Sequence, residues 1–341
     1  MDTTDIKLYF KELDDNSRKS LLDELSKIDD NSSFNLLTIR EEQLSNKQGY
    51  CPHCGSLKYL KDGHEKNGVQ RFQCKSCKRR FTPYTGTWLA KINKKEKLVP
   101  YLKLMHAGKS LDKIKDELTI NKKTALDWRH KITAALQNTE GDKFKGITES
   151  DETFFLYSQK GSKQLSRKAR KRGKEVSGRG IGDQQVATIV TMDRAKNIDL
   201  KVACLGRITK KDIEKAIGER IGTQTVLCTD GHASYKGFAM DNKLEHYVLK
   251  ANIKQYTRNK VYHIQHVNSA HSRLKTWIDK VLHGVATKYL QDYLSWFRFK
   301  EKFKGADMIK EIIKSALDPT GLERFRNIEN EYGLLLQPQN I

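Results

Sequence analysis

The stretch GITESDETFFLY, residues 146–157, decides the fold. Its Ile, Thr, Phe and Tyr residues suit a pleated, half-buried surface, so it reads as a β-strand. It also carries Asp151, shortly before the apolar Phe154 and Phe155. An acid at the rim of a buried strand needs a partner, because an unpaired carboxylate is costly to take out of water.

The segments that follow suggest where the partner lies. QQVATIVTMDR (184–194) and DLKVACLGRI (199–208) read as a hairpin with its turn near DRAKN. TKKDIEKAIGERI (209–221) reads as a helix opened by Thr209. TQTVLCTD (223–230) is a short apolar strand that ends on Asp230. HASYKGFAM (232–240) reads as a short helix, LEHYVLK (244–250) as a last strand, and VNSAHSRLKTWI (267–278) as a helix. Three strands, helix, strand, helix, strand, helix is the order of an RNase H-like α/β fold. In that fold the ends of the strands bearing Asp151 and Asp230 are adjacent, although 79 positions separate them in the chain. The two carboxylates are then candidates to share Mg²⁺ or Mn²⁺, hard cations that take oxygen ligands. For Asp230 a turn and helix cap is the competing reading, since TDGHASY supplies the residues for one.

Upstream, CPHC (Cys51, Cys54) and CKSC (Cys74, Cys77) form two pairs nineteen residues apart. With hairpin-like sequence between them, this is the layout of a zinc ribbon holding structural Zn²⁺. So small a module has little core, and the metal supplies much of its folding energy. Phe72 and Phe81 are expected to pack around it. His53 and His64 are spare, since four thiolates suffice. LVPYLKLMHAGKS, SLDKIKDEL and KTALDWRHKITAAL read as three helices, the second capped by Ser110 and the third with Trp128 on its apolar face. The short turn between the last two is that of a helix-turn-helix. The fold class expected is therefore multidomain α+β: an N-terminal zinc ribbon and helix-turn-helix, then an RNase H-like α/β catalytic domain. The boundaries are 1–45 for an accessory helical segment, 46–90 for the ribbon and 91–140 for the helix-turn-helix. The catalytic domain is 141–300 with a basic insertion at 158–183, and 301–341 is a helical tail broken at Pro319 and Gly321.

Charge names the partner class. Lys and Arg number 64 against 42 acids, giving a net charge of +22 and an isoelectric point near 9.6. An excess of that size suits a polyanion, most simply double-stranded DNA. Nine of the basic residues, with a single acid, fall between Lys160 and Arg179. Lys168, Arg170, Lys171 and Arg172 from that loop, with Lys122, Lys123 and Arg129 from the third helix, are the candidate phosphate contacts. No apolar run approaches the roughly 18 residues of a membrane span, and no secretory signal is evident in MDTTDIKLYF. The expected location is cytoplasmic and nucleoid-associated, with no membrane partner.

DETFF around Asp151, TDGHASY around Asp230 and VNSAHSRLKTWI around Asn268 resemble the three catalytic blocks of DDE-superfamily insertion-sequence transposases, nearest the ISXO-like group. GVATKYLQDYLSWFRF (284–299) is similar to the sequence closing the catalytic domain there, and the order of ribbon then helix-turn-helix also matches. The resemblance spans roughly residues 50–300. It implies that Asp151 and Asp230 ligate metal, that Asn268 stands where many members have Glu, and that Lys275 belongs to the site. It implies a DNA transposase that binds terminal inverted repeats, hydrolyses a phosphodiester and transfers the strand to target DNA, working as a homo-oligomer. The alternative is a non-catalytic DNA-binding regulator derived from one. Asn268 brings a ligating carbonyl but no charge, and it is either a ligand or the N-cap of its helix. Glu149, on the same strand face as Asp151, is a candidate to make up the missing charge. His271 reads as a hydrogen-bonded bystander one turn along.

Overall fold

The computed structural model describes residues 13–18, 20, 41–42, 44–46, 49–138, 143–166, 180–222, 224–250, 253–303, 306–316 and 319–336. The chain divides into two compact units, Met1–Ala107 with Ile309–Leu317, and Gly108–Met308 with Asp318–Ile341.

In the first unit a small antiparallel sheet joins β1 (Tyr59–His64), β2 (Gln70–Cys74) and β3 (Arg80–Phe81). The turn between β1 and β2 contains Gly68 at φ 82°, a left-handed value that glycine adopts without cost. Tyr59, Phe72 and Phe81 meet beneath the sheet, Phe72 and Phe81 stacked at 5.5 Å with Tyr59 edge-on to both. Leu44, Cys51 and Cys74 complete this core. The two-residue β3 was not evident in the sequence, being too short to show alternation. Helix α1 (Leu98–His106) belongs to this unit.

The second unit opens with α2 (Leu111–Leu118) and α3 (Lys122–Ala135). Ser110 caps α2 by accepting from the Lys113 N–H, and Asn121 caps α3 by accepting from the Lys123 N–H. Thr119 closes α2 in the left-handed region, φ 50°, an uncommon position for a β-branched residue.

The main sheet has five strands in the order β6-β5-β4-β7-β8. They are β4 (Gly146–Leu156), β5 (Gln185–Asp193), β6 (Ile198–Leu205), β7 (Thr225–Thr229) and β8 (Glu245–Val248). β5 runs antiparallel to both of its neighbours, while β4, β7 and β8 run parallel. On one face lie α4 (Lys210–Ile217) and α5 (Ala233–Asp241). Their Ile213, Ile217, Tyr235 and Phe238 pack with Ile189 and Leu227 of the sheet in a fully buried core. Thr209 opens α4 with a reciprocal capping box to Asp212, as its sequence predicts. On the other face, α6 (Gln265–Thr276) packs on β4 and β5, and α7 (Leu290–Lys302) packs on β6.

Two further helices span Ala306–Ala316 and Pro319–Leu335. Pro319 is the first helical residue, where its missing N–H costs nothing. Gly321 is inside the helix and does not break it.

Candidate functional site

The site follows from strand register. β4 and β7 are parallel, and Glu149 pairs with Cys228. Two residues further along each strand are Asp151 and Asp230. Asp151 is half-buried and Asp230 is exposed at the strand end. Burial first, then the negative charges of Asp230 and Glu152, pushes the Asp151 carboxyl up to about 8. Asp230 also accepts a hydrogen bond from the His232 N–H at 2.9 Å, so the turn reading of TDGHASY holds alongside its place beside Asp151. The cap of α5 is His232, whose Nδ1 accepts from the Ser234 N–H.

Glu152 is the residue the sequence reading passed over. It alternates to the opposite face of β4 from Asp151. Its carboxyl is also raised, by burial and then by Asp230. Among the described residues its buried Oε2 has no hydrogen-bond partner. Its position beside Asp151 in DETFF was the available signal. The Asp230 charge raises the carboxyls of both Asp151 and Glu152, but the three carboxylates do not gather tightly enough to ligate one ion together, and Asp151 with Asp230 is the pair left as candidate oxygen donors for a hard divalent cation. The oxygen donors fit Mg²⁺ or Mn²⁺.

Helix α6 brings the third block. His271 Nδ1 lies 3.8 Å from Asp151 Oδ2. Burial, then the Lys275 charge, lowers the His271 imidazole to about 4, so it is neutral at physiological pH. Asn268 and Lys275, three residues before and four residues after His271 on this helix, share its face and are exposed. Lys275 favours the ionised form of Asp151.

Asn268 does not cap α6. It is the fourth residue of a helix that begins at Gln265, and its own N–H already bonds the Ile264 carbonyl at 3.1 Å. The cap comes from another strand. Glu149 Oε2 accepts the backbone N–H groups of His266 at 2.9 Å and Val267 at 3.1 Å. Its Oε1 accepts from the Arg194 guanidinium and lies 2.7 Å from His266 Nδ1. A carboxylate at a helix N-terminus is favoured by the dipole as well as by these bonds. Glu149 is therefore committed to holding α6 and is not spare charge for the acid pair. His263 and His266 gather near it with metal-like spacing. Arg194 Nη1, however, contacts both Glu149 and His266 Nδ1, so a cation already occupies that place.

The four cysteines converge. All their sulfurs lie within 4.8 Å of one another, with Cys51–Cys77 at 3.8 Å and Cys54–Cys74 at 3.7 Å. Tetrahedral Zn–S bonds of about 2.3 Å require sulfurs about 3.8 Å apart. The Cys77 N–H pulls the Cys74 thiol down to about 6, while burial pushes Cys51 up to about 12. His53 Nε2 sits 3.2 Å from the Arg80 carbonyl, outside the sulfur set.

The DNA-contact candidates divide. Lys122 and Lys123 are exposed at the start of α3, Lys122 paired to Asp112 at 2.8 Å. Arg129 is not a surface contact. It is 6% exposed, its guanidinium stacks 5.6 Å over the Trp296 ring, and Nη2 donates to the Lys109 carbonyl. The sequence counted its charge without its depth in the helix packing. Lys168, Arg170, Lys171 and Arg172 lie outside the described residues.

Residues 143–302 match the family described as the ISXO2-like transposase domain. The chain is similar to an uncharacterised protein in transposable element ISH50 of Halobacterium salinarum, 23% identical over 274 residues, covering 79% of this chain and 91% of that protein. Among solved structures it is similar to a chain in the crystal structure of a pre-cleavage Mos1 transpososome. That likeness has a TM-score of 0.26 and 9% identity over 69% of this chain and 78% of that one, too faint to bear weight. No helix among the described residues is long and apolar enough to cross a membrane.

Proposed function

We propose that the chain, whose residues 143–302 match the ISXO2-like transposase domain, is a DNA transposase of the Asp-Asp-Asn type, binding terminal inverted repeats and catalysing hydrolysis and strand transfer. The observation that supports this reading is the β4–β7 register, which brings the strand ends bearing Asp151 and Asp230 side by side, with burial and then the Asp230 charge raising the Asp151 carboxyl. The strand order, with an antiparallel second strand and α6 over β4, supports an RNase H-like catalytic domain at 141–300. The sulfur spacing supports a zinc ribbon at 46–90, and the capped α2–α3 pair supports a helix-turn-helix within 91–140.

In the proposed site Asp151, Asp230 and the Asn268 carbonyl hold Mg²⁺ or Mn²⁺, with Glu152 adjacent. Bound there, such cations polarise phosphoryl oxygens and lower the cost of the attacking and leaving oxygens. The chain's own groups do the rest. Asp151 gives up its proton on taking up its role. Neutral His271 packs against Asp151 and excludes water from its flank. Lys275 meets a phosphate of the DNA end. In the first step a water oxygen attacks phosphorus in line and the element's 3′ oxygen leaves as a hydroxyl. In the second, that 3′ oxygen attacks a target phosphorus and a target 3′ oxygen leaves. Both are the same displacement, so one site serves both. Joining two ends implies a dimer or larger assembly on DNA, in the cytoplasm at the nucleoid. Lys122 and Lys123, and the basic stretch with Lys168, Arg170, Lys171 and Arg172, are the proposed phosphate contacts.

The test is strand cleavage of DNA carrying the element's ends, with Mg²⁺ or Mn²⁺. Cutting at the ends that disappears in Asp151→Asn supports the reading. A wild-type protein that binds the ends but cuts under neither metal overturns it.

A further inference from the structure

From His246 to Ile278 the chain contains no acid. Within that span, residues 253–262 form a loop between β8 and α6 that ends in a small hairpin. The hairpin turn is closed by backbone bonds between Arg258 and Tyr262, at 2.8 and 2.9 Å, and the Ile253 and Gln255 N–H groups before it bond the Lys250 carbonyl. Three residues there, Lys254, Asn259 and Lys260, are held in the left-handed region, φ 58°, 51° and 58°. Non-glycine residues take that conformation at some cost, so a defined shape is being maintained. The base of the hairpin is fixed by aromatic stacking, with Tyr262 lying flat on Tyr247 of β8 at 3.6 Å and 9°. The Arg258 guanidinium stands 5.3 Å over the Tyr247 ring. Arg194 Nη2 donates to the Val261 carbonyl at 3.0 Å. The same guanidinium bonds Glu149, two residues from Asp151, so the hairpin is tied to the strand that bears the acid site.

What the loop leaves in solvent is unusual. Tyr256 is 58% exposed and Ile253 64% exposed, with exposed Lys254 and Lys260 between and beyond them. Large apolar side chains alternating with cations, and no acid, match a strand whose bases offer flat faces and whose backbone offers phosphates. Intact duplex hides its base faces in the stack, so its phosphates alone would not account for the exposed ring.

We propose that the loop 253–262 is a stacking platform for unpaired bases of DNA, with Tyr256 under a base and Lys254 and Lys260 on the flanking phosphates. It holds one strand of an opened DNA end next to Asp151. This deepens the transposase reading and rests on it, since an unpaired base at that place serves an enzyme that opens DNA.

The experiment is scored by binding alone, so it stands apart from any failure to cleave. The full-length protein is titrated with a single-stranded oligonucleotide of roughly 16 nucleotides and with the duplex of the same sequence, by fluorescence anisotropy at several salt concentrations. Tyr256→Ala weakens single-strand binding about fivefold or more, the low end of what one stacked base is worth, and leaves duplex binding within about twofold. Tyr256→Phe, which keeps the ring, retains single-strand affinity. Replacing Lys254 and Lys260 by Ala flattens the salt dependence of single-strand binding by about 1.4 in slope. Photocrosslinking with 5-iododeoxyuridine places the modified base on a peptide containing Tyr256. Unchanged single-strand affinity in Tyr256→Ala, equal loss for strand and duplex, or crosslinks found only elsewhere overturns the proposal.

Discussion

The chain contains two places that gather donor atoms for a cation, and they are built in opposite ways. The four thiols come from 27 residues of chain, Cys51 to Cys77, carried on tight turns of a three-strand sheet. Their sulfurs already stand at tetrahedral spacing around a point, backed by Tyr59, Phe72 and Phe81. The carboxylates come from residues 79 positions apart and meet only because two parallel strands are in register. At the first place a bound metal would supply much of the folding energy. At the second the fold makes the site, and burial, then the Asp230 charge, holds the Asp151 carboxyl above its usual range.

That contrast can be broken at four points. The largest effect is at the thiols. Cys74→Ser should cost about 10 kcal/mol of metal-coupled folding in the ribbon. Loss of bound zinc by mass spectrometry, with new proteolytic cleavage within residues 50–81, is the expected result, and a variant that keeps one zinc per chain contradicts it. Next, Asp230→Asn should lower end cleavage by about 10³-fold, the scale of a lost transition-state electrostatic group. Its thermal midpoint should not fall, because the substitution removes a charge that opposes Asp151.

Third comes the anchor of α6. Glu149→Ala removes a buried acceptor and leaves Arg194 and two helix N–H groups without it. A loss of about 3 kcal/mol in denaturant titration is expected, and Glu149→Gln should recover part of it by keeping one acceptor oxygen. The smallest effect is on pH dependence. The Asp151 carboxyl, near 8, is protonated at neutral pH without metal. Binding of Mn²⁺ must displace that proton, so affinity should rise by up to about tenfold per pH unit towards 8 and level off above it. Affinity that is flat from pH 6 to 8 in calorimetry would remove Asp151 from the ligand set.

Much of the fold could be read from local pattern. The alternation in GITESDETFFLY, the apolar run TVLCT and the Thr209 capping box each depend on near neighbours, and each appears where its residues lie. The cysteine pairs were legible for the same reason. What could not be read depended on groups distant in the chain. The HVNS segment looks like a helix start because Asn is a good cap, yet α6 begins earlier because Glu149, more than a hundred residues away, supplies the cap. Arg129 counts as a surface charge until Trp296 covers it. Glu152 looks like a solvated neighbour of Asp151 until burial leaves one oxygen unpartnered.

The parallel pairing of β4 with β7 has a further consequence. Everything from Tyr157 to Gln224, including the basic stretch, is an excursion that leaves one end of β4 and returns to the start of the adjacent strand. The ladder that brings the two strand ends together depends on β5 pairing along β4 within that excursion, but not on the length of the connection between β4 and β5. Such a layout lets that connection lengthen, shorten or change its composition over evolutionary time while the carboxylate pair keeps its spacing.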